Sequence, residues 1–226
     1  MGSTREAEER RLREDSVVPE LVRTWAVGWT VSRSTPPPVE RPWGLYLDVG
    51  VAGQVGRHVL SYATEPVVRA AAASVSVPDT WLKVPGEAED VEPWLPEGWV
   101  VDKEESGHLM SVGLRATAPA VPDGYRVSVR TRDGVTFVCL HDRAGALAAR
   151  GQMAVLGEAA VVDRVVTEEA HRRRGLGSHV MRVLADEALA RGAGLGVLGA
   201  TDDGRALYEV LGWKLSAPLA ACIYRP

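Results

Sequence analysis

Arg172-Arg173-Arg174-Gly175-Leu176-Gly177 is the stretch on which the reading of this chain turns. Before it lies Ala159-Ala160-Val161-Val162-Asp163-Arg164-Val165-Val166-Thr167, a short run rich in β-branched residues that predicts a strand. After it, Val180, Val183, Leu184, Ala188 and Leu189 recur at helical spacing. Ser178 and the two glycines stand where that helix must begin, so the unit reads as strand, Gly-rich turn, helix. The first turn of a helix leaves N–H groups unpaired, and the aligned peptide dipoles place partial positive charge there. Glycine at 175 and 177 lets an anion approach the backbone with no Cβ in the way. Three arginines add donors and fixed charge suited to a pyrophosphate. No Gly-Lys-Ser/Thr follows, so the turn is not a P-loop, and it lacks the Gly-x-Gly-x-x-Gly dinucleotide fingerprint. Taken by itself, the pattern also fits a basic helix start that only solvates its own termini.

The sequence beyond narrows the choice. Residues 195–200 form a second short apolar run, which predicts another strand after the loop Arg191-Gly192-Ala193-Gly194. Asp202 or Asp203 can cap a short helix with Ala206, Leu207, Val210 and Leu211 on its apolar face, ended by Gly212. On these residues the chain resembles the GNAT superfamily of acyl-CoA-dependent N-acetyltransferases. The family's Arg/Gln-x-x-Gly-x-Gly/Ala pattern is met by Arg172, Gly175 and Gly177. Its Leu-Tyr followed by Leu-Gly-aromatic is met by Leu207-Tyr208 and Leu211-Gly212-Trp213. The resemblance is firm from about residue 159 to 213 and extends back to Tyr125 and forward to Tyr224. Many members carry Asn where this chain has Thr201.

The resemblance implies an α/β (α+β) fold with a mixed, mostly antiparallel sheet flanked by helices. It also implies an N-acetyltransferase that uses acetyl-CoA (coenzyme A) and a primary amine of a small or amino-acid-like acceptor. By the same resemblance, the backbone of Val165, Val166 and Thr167 would pair with the pantetheine arm. Arg172, Arg173, Arg174, Gly175, Leu176, Gly177 and Ser178 would hold the pyrophosphate. Tyr208 would give a proton to the departing thiolate. Acyl transfer to an amine needs positioning, oxyanion stabilisation and proton movement. Asp163 is the candidate base, since on a strand it shares a face with Val165; an ordered water is the other candidate. His171 and His179 read as surface residues flanking the turn. A different acyl donor, a protein amine as acceptor, or an acyl-CoA-binding protein without activity are the competing readings.

Composition sets outer bounds. The 226 residues carry 46% hydrophobic and 25% charged side chains, as in ordinary soluble proteins. A net charge of −4 argues against a general nucleic-acid binder. Cys139 and Cys222 offer no disulfide framework and no zinc-ligand spacing, and both lie in apolar runs that suit buried thiols. No run reaches the length of a transmembrane span, so no membrane partner and a cytoplasmic location are expected, for a monomer or homodimer.

Residues 1–15 are dominated by mixed charge and read as a flexible or frayed arm. A helix is expected from Ser16 or Pro19, with Leu21, Val22, Trp25 and Trp29 on its buried face, ending at Ser34-Thr35-Pro36-Pro37-Pro38. Residues 16–116 then read as a degenerate GNAT-like unit, 117–124 as a linker and 125–226 as the acetyl-CoA-binding domain. The ground is a repeat: Gly98-Trp99 recurs as Gly212-Trp213, 114 positions on. That offset lays residues 45–49 over 159–163, 81–84 over 195–198 and 89–95 over 203–209. It puts His58, Ser61 and Ala63 at the phosphate-turn positions and Trp94 at that of Tyr208, so at most one active site is expected. Coincidence between two α/β segments is the alternative. Within the first unit, residues 100–102 and 109–114 are expected to pair as a hairpin. In the second, Asp133-Gly134 is a strong hairpin turn. The two helices that relatives place between their first strands are missing after Thr131, and helices of the first half are the candidates to replace them.

Overall fold

In the computed structural model, the backbone is described for residues 2–226 and the side chains from Val17 onward. The chain forms two compact units: one from the residues up to Ala26, Thr35–Leu109 and Leu215–Pro226, the other from Val27–Ser34 and Met110–Lys214. Helix α1 (Gly2–Arg33) contributes to both. It begins well before Ser16 and runs through Pro19, so the charged segment of residues 2–15 is its first part; the side chains there lie outside the described residues. Leu21, Val22, Trp25 and Trp29 are buried, as their spacing predicts. Ser34 at φ 54° and the three prolines after it end the helix.

The first unit carries β1 (Val39–Arg41), β2 (Gly44–Val51), β3 (Gln54–Leu60), α2 (Glu65–Ala73), β4 (Thr80–Val84), α3 (Ala88–Val91) with a 3-10 turn to Trp94, and β5 (Trp99–Val101). Strands β1, β2 and β3 are antiparallel neighbours, and β3 lies parallel to β4 across the α2 crossover. Strand β6 (Gly107–Gly113) leads out of the unit. The core packs Leu60, Val68, Ala71, Leu82 and Val91 beneath α2 and α3.

The second unit is an antiparallel meander feeding a parallel crossover. Its strands β7 (Tyr125–Arg132), β8 (Val135–Asp142), β9 (Leu147–Leu156) and β10 (Ala159–Thr167) are successive antiparallel neighbours. Asp133 (φ 50°) and Gly134 (φ 79°) make the tight β7–β8 turn. Helix α4 (Leu176–Ala190) then crosses to β11 (Leu195–Ala200), parallel to β10, and α5 (Asp202–Val210) follows. The core collects Leu140, Met153, Leu176, Val180, Leu184 and Trp213 under α4.

The last strand, β12 (Lys214–Tyr224), departs from expectation. Ala220–Ile223 pair with β4, and Cys222–Tyr224 with β5, so residues 215–226 group with the first unit. For the same reason residues 100–102 do not form a hairpin with 109–114: β5 takes β12 as its partner. The 114-residue offset also needs a shift upstream of α2. Strand β3, not residues 45–49, is the one parallel to β4, as β10 is to β11. His58 therefore lies within a strand, and the turn between β3 and α2 is Ser61-Tyr62-Ala63-Thr64, without glycine.

Candidate functional site

Strand β10 changes its pairing midway. It matches β11 only at Ala159, Ala160 and Val161, opposite Leu195, Gly196 and Val197. Its pairing with β9 skips in register between Asp163 and Val166, where Arg164 sits at φ 53°. A bulge of this kind bends and twists a strand and frees one of its edges. Past it, Val165, Val166 and Thr167 are half-buried to exposed, and Val166 and Thr167 pair with Arg150 and Ala149 of β9. Positive φ is costly for an arginine, and such outliers gather at working sites.

The strand ends in the Gly-rich turn. A 3-10 turn (Glu169–His171) precedes Arg172, and Arg173 (φ 61°) and Gly175 (φ 74°) are both left-handed. Gly175 is the N-cap of α4, and the first bond closing the helix runs from His179 N–H to Gly175 O. The N–H groups of Leu176, Gly177 and Ser178 are thus the free donors of the helix start. A Cβ on Gly175 would meet nothing within 4 Å, so the space over the turn is open. A Cβ on Gly177 would stand 3.1 Å from Leu207 and 3.5 Å from the Thr167 hydroxyl, so turn, strand end and α5 converge there. Arg172, Arg173 and Arg174 are exposed. Arg172 donates to Thr167 O at 3.4 Å, and Arg174 to the Tyr125 hydroxyl at 3.1 Å. Open space, free N–H donors and three cations fit a pyrophosphate.

A chain of side chains stands behind Arg174. The Tyr125 hydroxyl lies 3.1 Å from His171 Nδ1, and His171 Nε2 lies 3.8 Å from Asp142. Tyr125 and Asp142 come from the two ends of the β7–β8 hairpin. His171 is half-buried and His179 is buried, so neither is the surface residue expected. Burial, with the charge of Arg182, lowers the pKa of His179.

Tyr208 is 8% exposed, with its ring 6.0 Å from that of Trp213. Burial first, and then the negative charge of Asp163, push its pKa up to about 12. Its hydroxyl therefore stays protonated across the physiological range. Thr201, rather than Asp202 or Asp203, caps α5: its hydroxyl accepts from Gly204 N–H at 3.2 Å.

Asp163 is already engaged. Arg33 grips it in a fork, Nε at 2.8 Å and Nη2 at 2.9 Å, and the Ser32 hydroxyl donates at 3.1 Å. The Arg33 guanidinium also lies 4.7 Å over the Trp29 ring. Gln152 of β9 donates to Ser32 O at 2.6 Å and to its hydroxyl at 2.8 Å. A Cβ on Gly28 would stand 2.3 Å from Val161, so the last turns of α1 lie directly on β10. The last turns of α1 thus cover β10, although Arg33 precedes Asp163 by 130 positions. No local pattern signals that contact; alternation along β10 shows only that Asp163 and Val161 share a face.

The comparisons agree with this architecture. The profile of the Acetyltransferase (GNAT) family matches residues 86–213, more than half of the chain. A GCN5-related N-acetyltransferase from Kribbella flavida has a similar fold, at TM-score 0.61 and 18% identity over 90% of this chain and 95% of that one. A GNAT-family protein from Novosphingobium aromaticivorans is similar at TM-score 0.55 and 19% identity, covering 84% and 91%. A tandem GNAT protein from the clavulanic acid biosynthesis pathway is similar at TM-score 0.51 and 15% identity, covering 71% and 68%. No curated protein sequence matches the chain. The matched span contains the bulged strand, the Gly-rich turn and the Tyr208 helix, and the chain belongs to the GNAT acetyltransferase family.

Proposed function

We propose that this protein is an acetyl-CoA-dependent N-acetyltransferase acting on a primary amine of a small or amino-acid-like molecule. The observation that carries the reading is the juxtaposition at Gly177: the freed end of β10, the open start of α4 and the helix that bears Tyr208 meet there. Acetyl-CoA supplies the activated thioester. Val165, Val166 and Thr167 offer the backbone edge along which its pantetheine arm is held. Arg172, Arg173, Arg174, Gly175, Leu176, Gly177 and Ser178 hold the pyrophosphate. The hydroxyl of Tyr208 keeps its proton by burial and delivers it to the departing thiolate.

The geometry favours a changed role for Asp163. A carboxylate gripped by Arg33 and Ser32 has few lone pairs left to take a proton. We assign it to fixing α1 on β10 and to setting the field around Tyr208, with water removing the proton from the amine. The first half is best read as a degenerate relative of the second. Strand, helix, strand, helix and strand follow in the same order, but its turn lacks arginine and glycine and Trp94 stands for Tyr208.

The test is an amine panel with acetyl-CoA, following free thiol release. Saturable release with at least one small amine supports the reading. Tight acetyl-CoA binding without release on any small or peptide amine would favour an acyl-CoA-binding protein instead.

A further inference from the structure

A recess lies in the second unit, and none of the residues assigned to acyl transfer lines it. It has a volume of 640 Å³ and opens between α4, the end of α5 and the chain after β6. Its floor is apolar: Met153, Met181, Leu184 and Trp213 are all buried and all line it. Val210, which is 84% exposed, stands at its lip. No residue of the 172–178 turn lines it, nor does Tyr208 or the Val165–Thr167 edge. Its α4 wall runs from Met181 to Ala188, beginning about 6 Å of helix beyond Gly177 at the ordinary rise.

The charge around it is one-sided. Arg115, Arg182 and Lys214 line the cavity, are exposed, and make no ion pair with a described residue. No carboxylate among the described residues lines it. The nearest acid along α4, Asp186, is turned to the backbone N–H groups of Thr117 and Ala118, each at 2.8 Å, and offsets one of the three cations. Among the described residues Thr117 carries the only hydroxyl in the lining, so a polyhydroxylated ligand would leave its own polar groups unpaired on the floor. An apolar body with one anionic end meets both halves of the recess: burial on the floor, and charge-assisted hydrogen bonds at the lip.

We propose that this recess binds a small amphipathic monocarboxylate, apolar chain inward and carboxylate between the lip cations, at a site separate from acyl transfer. The experiment is calorimetric titration of the full chain with octanoate, octan-1-ol and octylamine, without acetyl-CoA. One-site binding of octanoate, at least about tenfold tighter than either neutral or cationic analogue, supports the assignment. So does its weakening by about tenfold in the Arg182→Ala, Lys214→Ala double variant, whose changes lie on the surface. Ala185→Trp, which fills the recess, is expected to abolish binding; if that variant melts early, the double variant decides. No octanoate heat, equal affinity for the three compounds, or an unchanged double variant overturns the proposal. Displacement of octanoate by acetyl-CoA would also overturn it, by placing the carboxylate at the acyl-transfer site. The binding readout is independent of whether the protein acetylates an amine.

Discussion

At the scale of single residues, Tyr208 and Asp163 divide the proton chemistry. A phenol in water loses its proton near pH 10, whereas burial and the Asp163 charge hold Tyr208 to about 12. A proton donor that stays loaded gives a flat alkaline side, so kcat is expected to show no loss from this group below about pH 11. A kcat profile in acetyl-CoA and a good amine tests this, and a limb at pH 10 would speak against the assignment. Tyr208→Phe is expected to lower kcat by about 10²-fold while leaving acetyl-CoA affinity within about twofold. For Asp163→Asn the account predicts a modest loss, about tenfold or less, because the carboxylate positions rather than takes the proton. A fall beyond 10³-fold, of the size seen for a lost general base, would return Asp163 to the base role. The same substitution removes the charge that helps raise Tyr208, so ultraviolet titration should find the phenol ionising earlier.

Among the elements, the last turns of α1 and the bulged half of β10 act as a pair. Gly28 lets the helix backbone approach Val161, and Ser32 and Arg33 then reach Gln152 and Asp163. Gly28→Val would drive a branched side chain into Val161, where the Cβ alone would be 2.3 Å away. Overpacking against a strand costs about 1–3 kcal/mol or more, and here it should also shift Arg33 off Asp163. Chemical denaturation reads the first effect and Tyr208 titration the second. Wild-type stability in that variant would mean that α1 is not seated on β10 in solution. The Gly-rich turn was legible because its information is local: Gly175 and Gly177 sit within three residues of the helix start they serve. The Arg33–Asp163 fork was not legible, since the partners lie 130 positions apart and neither carries a local signal. Thr201 took the cap from two aspartates because the Ncap site is fixed by where β11 ends, and β11 ends at Ala200.

For the molecule as a whole, sequence periodicity gave the kinds of element but not all of their partners. The sequence reading puts residues 125–226 in one domain, but which strands residues 214–224 join is decided by register against β4 and β5, a non-local matter. One consequence is a buried basic group beside β12. Lys83 of β4 is 7% exposed, donates to Glu105 O at 2.6 Å, and is pushed by burial from 10.5 down to about 7. The unfolded chain then holds this proton where the folded one does not, so stability should climb as pH rises from 7. Above pH 9 the sign reverses for Cys222, whose burial raises it to about 12, since the unfolded thiol ionises first. A stability maximum between about pH 9 and 10 is therefore expected, with a slope below it of up to about 1.4 kcal/mol per pH unit. Lys83→Met should flatten the rising side in urea melts between pH 7 and 9; an unchanged slope would remove Lys83 as its cause. Among the described residues, no helix is long and apolar enough to cross a membrane. The central claim concerns the start of α4, and calorimetric titration with acetyl-CoA tests it most directly. The account predicts one site per chain, with affinity reduced about tenfold or more in Arg172→Ala. Absence of binding to acetyl-CoA and to longer acyl-CoAs alike would contradict it, and would leave the turn from Arg172 to Gly177 a structural feature only.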